Sequence, residues 1–275
     1  MVSQYGVDWN EGGAVTTRAA TLEMLRAPGL TVERPLELSG EWFNEVCLWL
    51  GSPIGALRTV GWPMILIPEI IDSRYRLGDS ALQVYQRVEW FGPVPRREFA
   101  ASARVEWVSG RAGSFEAGIG TEARLGDDRL ARSLLVARMT GDLDSYGERA
   151  LPPRPDVDAT SLARRLTLVV DEGMIRHFAG LAGTRYPVHD DERYAWTQGY
   201  PAILVQGLLL FMTQLYHAGA GPTGRAETWF RRAVPAGSLL ESCQSTTDPT
   251  LWALRLIGGG EIAAITRIAS SSPSG

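Results

Sequence analysis

The sequence predicts an α+β chain of two tandem units, each a curved antiparallel sheet wrapped around one long helix. Three observations carry the prediction. A proline-rich polar stretch, Arg149-Ala150-Leu151-Pro152-Pro153-Arg154-Pro155-Asp156, interrupts the chain near its middle and reads as an extended linker. On either side the elements come in the same order, a helix and then several long strands. In the second half one segment, Ala202 to His217, is apolar nearly all round, the pattern of a helix covered on every side. A first unit over residues 1–148, a linker over 149–158 and a second unit over 159–275 follow from these signals. With 275 residues, 45% of them hydrophobic, each unit has enough chain for its own core.

In the first unit Ser39 is placed to cap a helix from Glu41 to Leu50, with Trp42, Val46 and Trp49 on one face. Strands follow over Ala81 to Phe91, Phe99 to Trp107, Ser114 to Arg124 and Leu130 to Met139. The second of these alternates Phe99, Ala101, Ala103, Val105 and Trp107 with Ser102, Arg104 and Glu106, the period of a half-buried strand. Turns containing Gly or Asp separate the runs, which together read as a meander.

The second unit begins with a strand over Arg165 to Val170. Asp171 then caps a helix that carries Met174, Ile175, Phe178 and Leu181 on one side. After the buried helix come strands over Ala226 to Arg232, Leu239 to Ser245, Leu251 to Ile257 and Glu261 to Ile268. A long helix enclosed by an antiparallel sheet is the hotdog arrangement, and two in tandem, a double hotdog, set the sheets side by side. The first 15 to 20 residues and the Ser-rich tail from Ser270 are expected to be disordered.

Composition removes several kinds of chemistry. All 27 basic residues are Arg and none is Lys, which excludes Schiff-base catalysis, pyridoxal phosphate attachment and a P-loop lysine. No GxGxxG opens a helix after a strand, so no nicotinamide or flavin cofactor is expected. Cys47 and Cys243 stand far apart with no CxxC, which suggests small core residues, not a metal site or disulfide. The net charge of -4 and scattered basic residues give no footprint for nucleic acid. Ala202 to Tyr216 falls short of the ~20 residues a bilayer needs. The opening MVSQYGVDWNEGG lacks the basic and apolar regions of a secretory signal, so a cytoplasmic protein is expected. The chemistry is left to His, carboxylates, hydroxyls and backbone amides.

From Phe178 the sequence reads FAGLAGTRYPVHDDERYAWTQGYPAILVQGLLL. These residues resemble the signature of the MaoC-like hydratases, Gly-Asp-x-Asn-Pro-[Leu/Ile/Val]-His followed by a Tyr/Phe-Ala pair and later by Pro-x-x-x-His-Gly ahead of the central helix. Gly183, Pro187, Val188, His189, Tyr194, Ala195 and Gly207 match it, over about thirty residues. In that family Asp and His activate the water that adds across an enoyl thioester, and the later Gly donates a backbone N–H to the thioester oxygen. Three positions depart: Thr184 stands for the Asp, Tyr186 for the Asn, and Gln206 for the His of the His-Gly pair. A threonine hydroxyl is no general base near neutral pH, and losing one of two acid/base partners costs ~10²- to 10⁴-fold if nothing replaces it.

The resemblance implies His189 as acid and base, Gly207 as oxyanion donor and Thr184 as the third catalytic position. His189 titrates near neutral pH in ordinary surroundings, and an N–H at a helix start points the positive end of the dipole at an enolate oxygen. Two readings of Thr184 stand open, orientation of a water or substrate hydroxyl, and a plain surface threonine. Arg185, if it faces the pocket, repels a proton from His189 or stabilises an enolate; otherwise it lies in solvent. Tyr186, Gln206 and Tyr194 complete the expected substrate-binding set, and Asp190 and Asp191 read as turn or helix-start residues. Away from the motif, His177 lies opposite the apolar stripe of its helix, and His217 ends the buried helix, where an imidazolium suits the dipole. The first half has no His and no second copy of the site; in the double-hotdog relatives it widens the acyl tunnel, a role that Trp62 to Pro68 suits as well as it suits an ordinary core.

The expected function is interconversion of an enoyl thioester and its 3-hydroxyacyl form, bound to CoA or a carrier protein. Two alternatives stand beside it. One is a diverged enzyme of a natural-product pathway that dehydrates, isomerises or cyclises a polyketide-like intermediate with His189 alone; the other is a non-catalytic acyl-binding subunit. Because hotdog proteins often pair, a homodimer also stays open.

Overall fold

The computed structural model describes residues 31–36, 81–92, 98–141, 143–182, 184–219 and 224–270. The expected helix from Glu41 to Leu50, the run from Trp62 to Pro68, Cys47 and the two terminal segments lie outside them.

Among the described residues ten strands form one continuous sheet: β1 (Thr31–Leu36), β2 (Leu82–Trp90), β3 (Phe99–Arg111), β4 (Ser114–Leu125), β5 (Asp128–Thr140), β6 (Leu162–Val169), β7 (Gly224–Phe230), β8 (Leu239–Ser245), β9 (Leu251–Leu256) and β10 (Ile262–Ser270). All pairings are antiparallel, in the order β1-β3-β4-β5-β2-β7-β10-β9-β8-β6. Five strands from each half therefore meet at one seam, where β2 pairs with β7 from Tyr85↔Trp229 to Trp90↔Gly224. The sheets that the sequence sets side by side are joined edge to edge. Both seam strands are mostly buried, and β1, which carries Pro35, lies at the end of the sheet, where a missing N–H breaks no ladder.

Four helices stand among the described residues: α1 (Glu172–Ala182), α2 (Pro187–Asp190), α3 (Glu192–Thr197) and α4 (Gly207–His217). Asp171 caps α1, its Oδ1 accepting the Met174 N–H at 2.8 Å. Helix α4 presses Leu208, Leu209, Leu210, Phe211, Met212 and Leu215 into a core with Val88 and Trp90 of β2, Ala131 of β5 and Ala226, Leu240, Leu254 and Ala264 of the second half. Both sides of the seam thus lean on one helix. Each such buried side chain is worth about 1.5–3 kcal/mol, so Phe211→Ala removes roughly 3–5 kcal/mol. No helix among the described residues is long and apolar enough to cross a membrane.

One expectation needs correction. Helix α4 starts at Gly207, not Ala202. The residues before it are extended because neighbouring backbones hold them: Leu204 N–H donates to the Val188 carbonyl at 2.9 Å and Val205 N–H to the Val234 carbonyl at 2.8 Å. Residues 149–156 hold no helix or strand, and contacts tie them to the sheet. Arg149 pairs with Glu116 at 2.8 Å, and the Pro152 carbonyl accepts from Trp229 Nε1 at 3.4 Å.

Candidate active site

The motif segment is a series of short backbone-anchored pieces. Thr184 N–H donates to the Ala179 carbonyl at 3.0 Å, which folds the chain back at the end of α1. Tyr186 N–H donates to the Thr184 carbonyl at 2.8 Å, and Pro187 opens α2, a position that needs no N–H. His189 sits in that single turn, its N–H on the Tyr186 carbonyl at 2.8 Å. Asp191 caps α3 through Tyr194 N–H, and Asp190 pairs with Arg176 at 2.9 Å, so both are the structural residues expected.

The imidazole of His189 is fixed from behind. Its Nδ1 lies 2.8 Å from the Leu204 carbonyl, in the extended segment before α4. A carbonyl only accepts, so Nδ1 carries the proton and Nε2 keeps its lone pair. Burial pushes the pKa of His189 down to about 4, against the opposing pull of the Leu204 bond, which favours the protonated ring. The ring is neutral at physiological pH and poised to accept a proton. Burial also lowers the pKa of His217, so the expected imidazolium at the end of α4 is disfavoured.

His189 lines a cavity of about 490 Å³. Thr184, Tyr186, Gln206 and Gly207 line it too. Thr184 is only 4% exposed, which removes the surface reading, and its Oγ1 has no hydrogen-bond partner among the described residues. Tyr186 is half-buried, its ring centred 6.0 Å from that of His189. Gln206, fully enclosed, donates from Nε2 to the Ile175 carbonyl at 3.0 Å and leaves Oε1 unpartnered. Gly207 is the first residue of α4, whose initial N–H groups have no intrahelical acceptor and receive no side-chain cap from Gln206. Glycine is needed here for space as well: a Cβ would stand 2.7 Å from Gln83 Oε1 and 3.3 Å from Phe230 Cε1.

The structure corrects two expected site residues. Arg185 is exposed and lies against Gly180, outside the cavity. In an extended segment successive side chains point to opposite sides, so Thr184 and Tyr186 turn inward and Arg185 outward. Tyr194 is half-buried on α3 and does not line the cavity either.

Several wall residues come from outside the motif. Gln83 and Gln86 of β2, Leu135 and Ala137 of β5 and Trp229 and Phe230 of β7 line the interior. Glu116 also lines it, held between Arg138 at 2.7 Å and Arg149 at 2.8 Å. Burial alone would raise its pKa, but the two guanidinium bonds outweigh burial and hold the carboxyl below its usual range. Arg154 and Arg231 are lining residues that form no ion pair among the described residues. Composition signalled none of this, although Gln86 on the apolar face of a strand was a visible irregularity.

No protein-family model matches the sequence, and no curated protein matches it. Solved structures do match its fold. HtdX of Mycobacterium tuberculosis superposes with a TM-score of 0.71 at 15% identity, over 88% of this chain and 100% of that one. A MaoC-like dehydratase of Phytophthora capsici gives 0.69 at 10% identity, over 92% and 98%. Full-length peroxisomal multifunctional enzyme type 2 of Drosophila melanogaster gives 0.66 at 15% identity, over 86% of this chain and 48% of that one. The chain has the hotdog fold of the MaoC-like dehydratases.

Proposed function

We propose that this chain is a hydratase or dehydratase that interconverts an enoyl thioester and its 3-hydroxyacyl thioester, carried on CoA or a carrier protein. The observation that carries the reading is His189, a desolvated neutral base held by Leu204, in one cavity with the start of α4. In the dehydration direction Nε2 takes the C2 proton, and charge moves to the thioester oxygen, which accepts from the Gly207 N–H. The imidazolium then returns its proton to the C3 hydroxyl, which leaves as water. Thr184 Oγ1 orients that hydroxyl, or the water in the reverse direction. Two hotdog units, residues 1–148 and 159–275 joined through 149–158, supply the framework; the five-plus-five strand order supports this division.

A second reading has its own support. Among the described residues that line the cavity the sole carboxylate is Glu116, already committed to two arginines. No carboxylate among the described residues partners His189, which favours a diverged enzyme that dehydrates, isomerises or cyclises a polyketide-like intermediate with His189 alone. The deciding experiment is absorbance-monitored hydration of crotonyl-CoA and longer trans-2-enoyl-CoA esters by wild type, His189→Ala and Thr184→Asp. Activity in the wild type that His189→Ala abolishes supports the hydratase. An inactive wild type, with activity gained in Thr184→Asp, supports the diverged enzyme instead.

A further inference from the structure

Gln86 occupies a position where an apolar residue belongs. It shares the inner face of β2 with Val88 and Trp90, which meet α4, and it is completely buried. Its Oε1 accepts from Gln83 Nε2, while its own Nε2 has no partner among the described residues. Both glutamines line the cavity. Gln83 also sets how far Gln86 stands from the chemistry, because Gln83 Oε1 lies where it would touch a Cβ on Gly207. From the start of α4 the contacts run to the Gln83 amide and then to the Gln86 amide.

Two other residues with an unpaired polar atom among the described residues line this cavity, Thr184 through Oγ1 and Gln206 through Oε1. A reacting water or C3 hydroxyl satisfies both. Gln86 is different: it comes from the other half of the chain and lies one amide beyond Gly207, among the apolar walls made by Leu135, Ala137 and Leu210. A buried amide donor without an acceptor carries the full cost of its lost hydration, and an acceptor brought into the cavity beside it would recover that cost.

We propose that Gln86 determines specificity, and that the acyl group this cavity takes carries an oxygen acceptor of its own beyond C3, a keto or hydroxyl group, bound by Gln86 Nε2–H. The proposal rests on the acyl-thioester reading above and narrows its substrate class. A plain alkyl chain leaves the amide unmatched, so the site selects for the oxygenated chain by the penalty it imposes on the other.

Hexanoyl-CoA and 5-oxohexanoyl-CoA test this by titration calorimetry, since both lack the C2–C3 double bond and a C3 hydroxyl and bind without turnover. Wild type is expected to bind the oxo ester about tenfold more tightly, the worth of one hydrogen bond to an otherwise unmatched buried donor. Gln86→Leu and Gln86→Met are each expected to bind the two esters alike. Equal binding by the wild type overturns the proposal without reference to any variant; Gln86 then only extends the buried polar row that runs from its strand neighbour Thr228 through Thr266 to Gln214 of α4. A preference that survives in folded Gln86→Leu or Gln86→Met overturns it too. If the wild type binds neither ester, the acyl-thioester reading itself falls and takes this proposal with it.

Discussion

Thr184→Val separates function from stability at the centre of the site. Threonine and valine have nearly the same shape, so the substitution exchanges one hydroxyl for a methyl group and leaves no cavity. At this position the hydroxyl is buried and has no partner, so the free protein bears its desolvation cost of ~1–3 kcal/mol with no hydrogen bond in return. Removing it is expected to stabilise the protein by about 1–2 kcal/mol, and in a chain of this size each kcal/mol raises Tm by roughly 2–4 °C. Activity moves the other way. If the hydroxyl orients the reacting water, its loss costs one hydrogen bond in the transition state and lowers kcat/KM by about 10- to 100-fold. Urea unfolding and crotonyl-CoA hydration on the same preparation give both numbers. A destabilisation of more than about 1 kcal/mol would show that the hydroxyl is partnered in the free protein, and unchanged kcat/KM in the stabilised variant would remove Thr184 from the chemistry.

Two further outcomes follow from the charges. Because burial holds the pKa of His189 at about 4, below its ordinary 6.5, the acid limb of the kcat/KM profile should fall near pH 4 and not near 6.5. The folded state binds fewer protons than the unfolded chain between those values. Stability is therefore full above pH 6.5 and declines as pH falls through 4, by at most about 3 kcal/mol, and urea titrations of His189→Gln should lack this decline. Arg154→Ala and Arg231→Ala, which remove unpaired cations from the cavity lining, should each raise KM for a CoA ester roughly two- to fivefold at low salt, leave kcat unchanged and leave an N-acetylcysteamine thioester unaffected.

Much of the fold was legible because its signals are local. Alternation in β3 and the Asp171 cap depend only on nearby residues, and both stand as read. The start of α4 was not legible, because residues 202–205 are buried extended chain, and an apolar run looks alike in a buried helix and a buried strand. Strand β1 escaped notice since Glu33, Arg34 and Pro35 break the apolar pattern, as an edge strand permits. The site divides in the same way. The motif brought His189, Thr184, Tyr186, Gln206 and Gly207 to one cavity, but Gln83 and Gln86 reach it through the β2–β7 seam, a pairing between residues more than 130 positions apart that no short motif encodes.

The neutral side chain at position 184 is consistent with the low pKa of His189. A carboxylate at position 184, as in the motif this segment resembles, would stabilise the imidazolium and offset burial. With a neutral hydroxyl there, only the Leu204 carbonyl resists desolvation, and the pKa settles at about 4. A base of that strength is always available at neutral pH but draws weakly on the C2 proton of a simple thioester. It suits a substrate whose C2 proton is already acidic. Thr184→Asp, which would strengthen the base, should therefore raise the hydration rate of a plain enoyl ester and shift the acid limb of its kcat/KM profile upward.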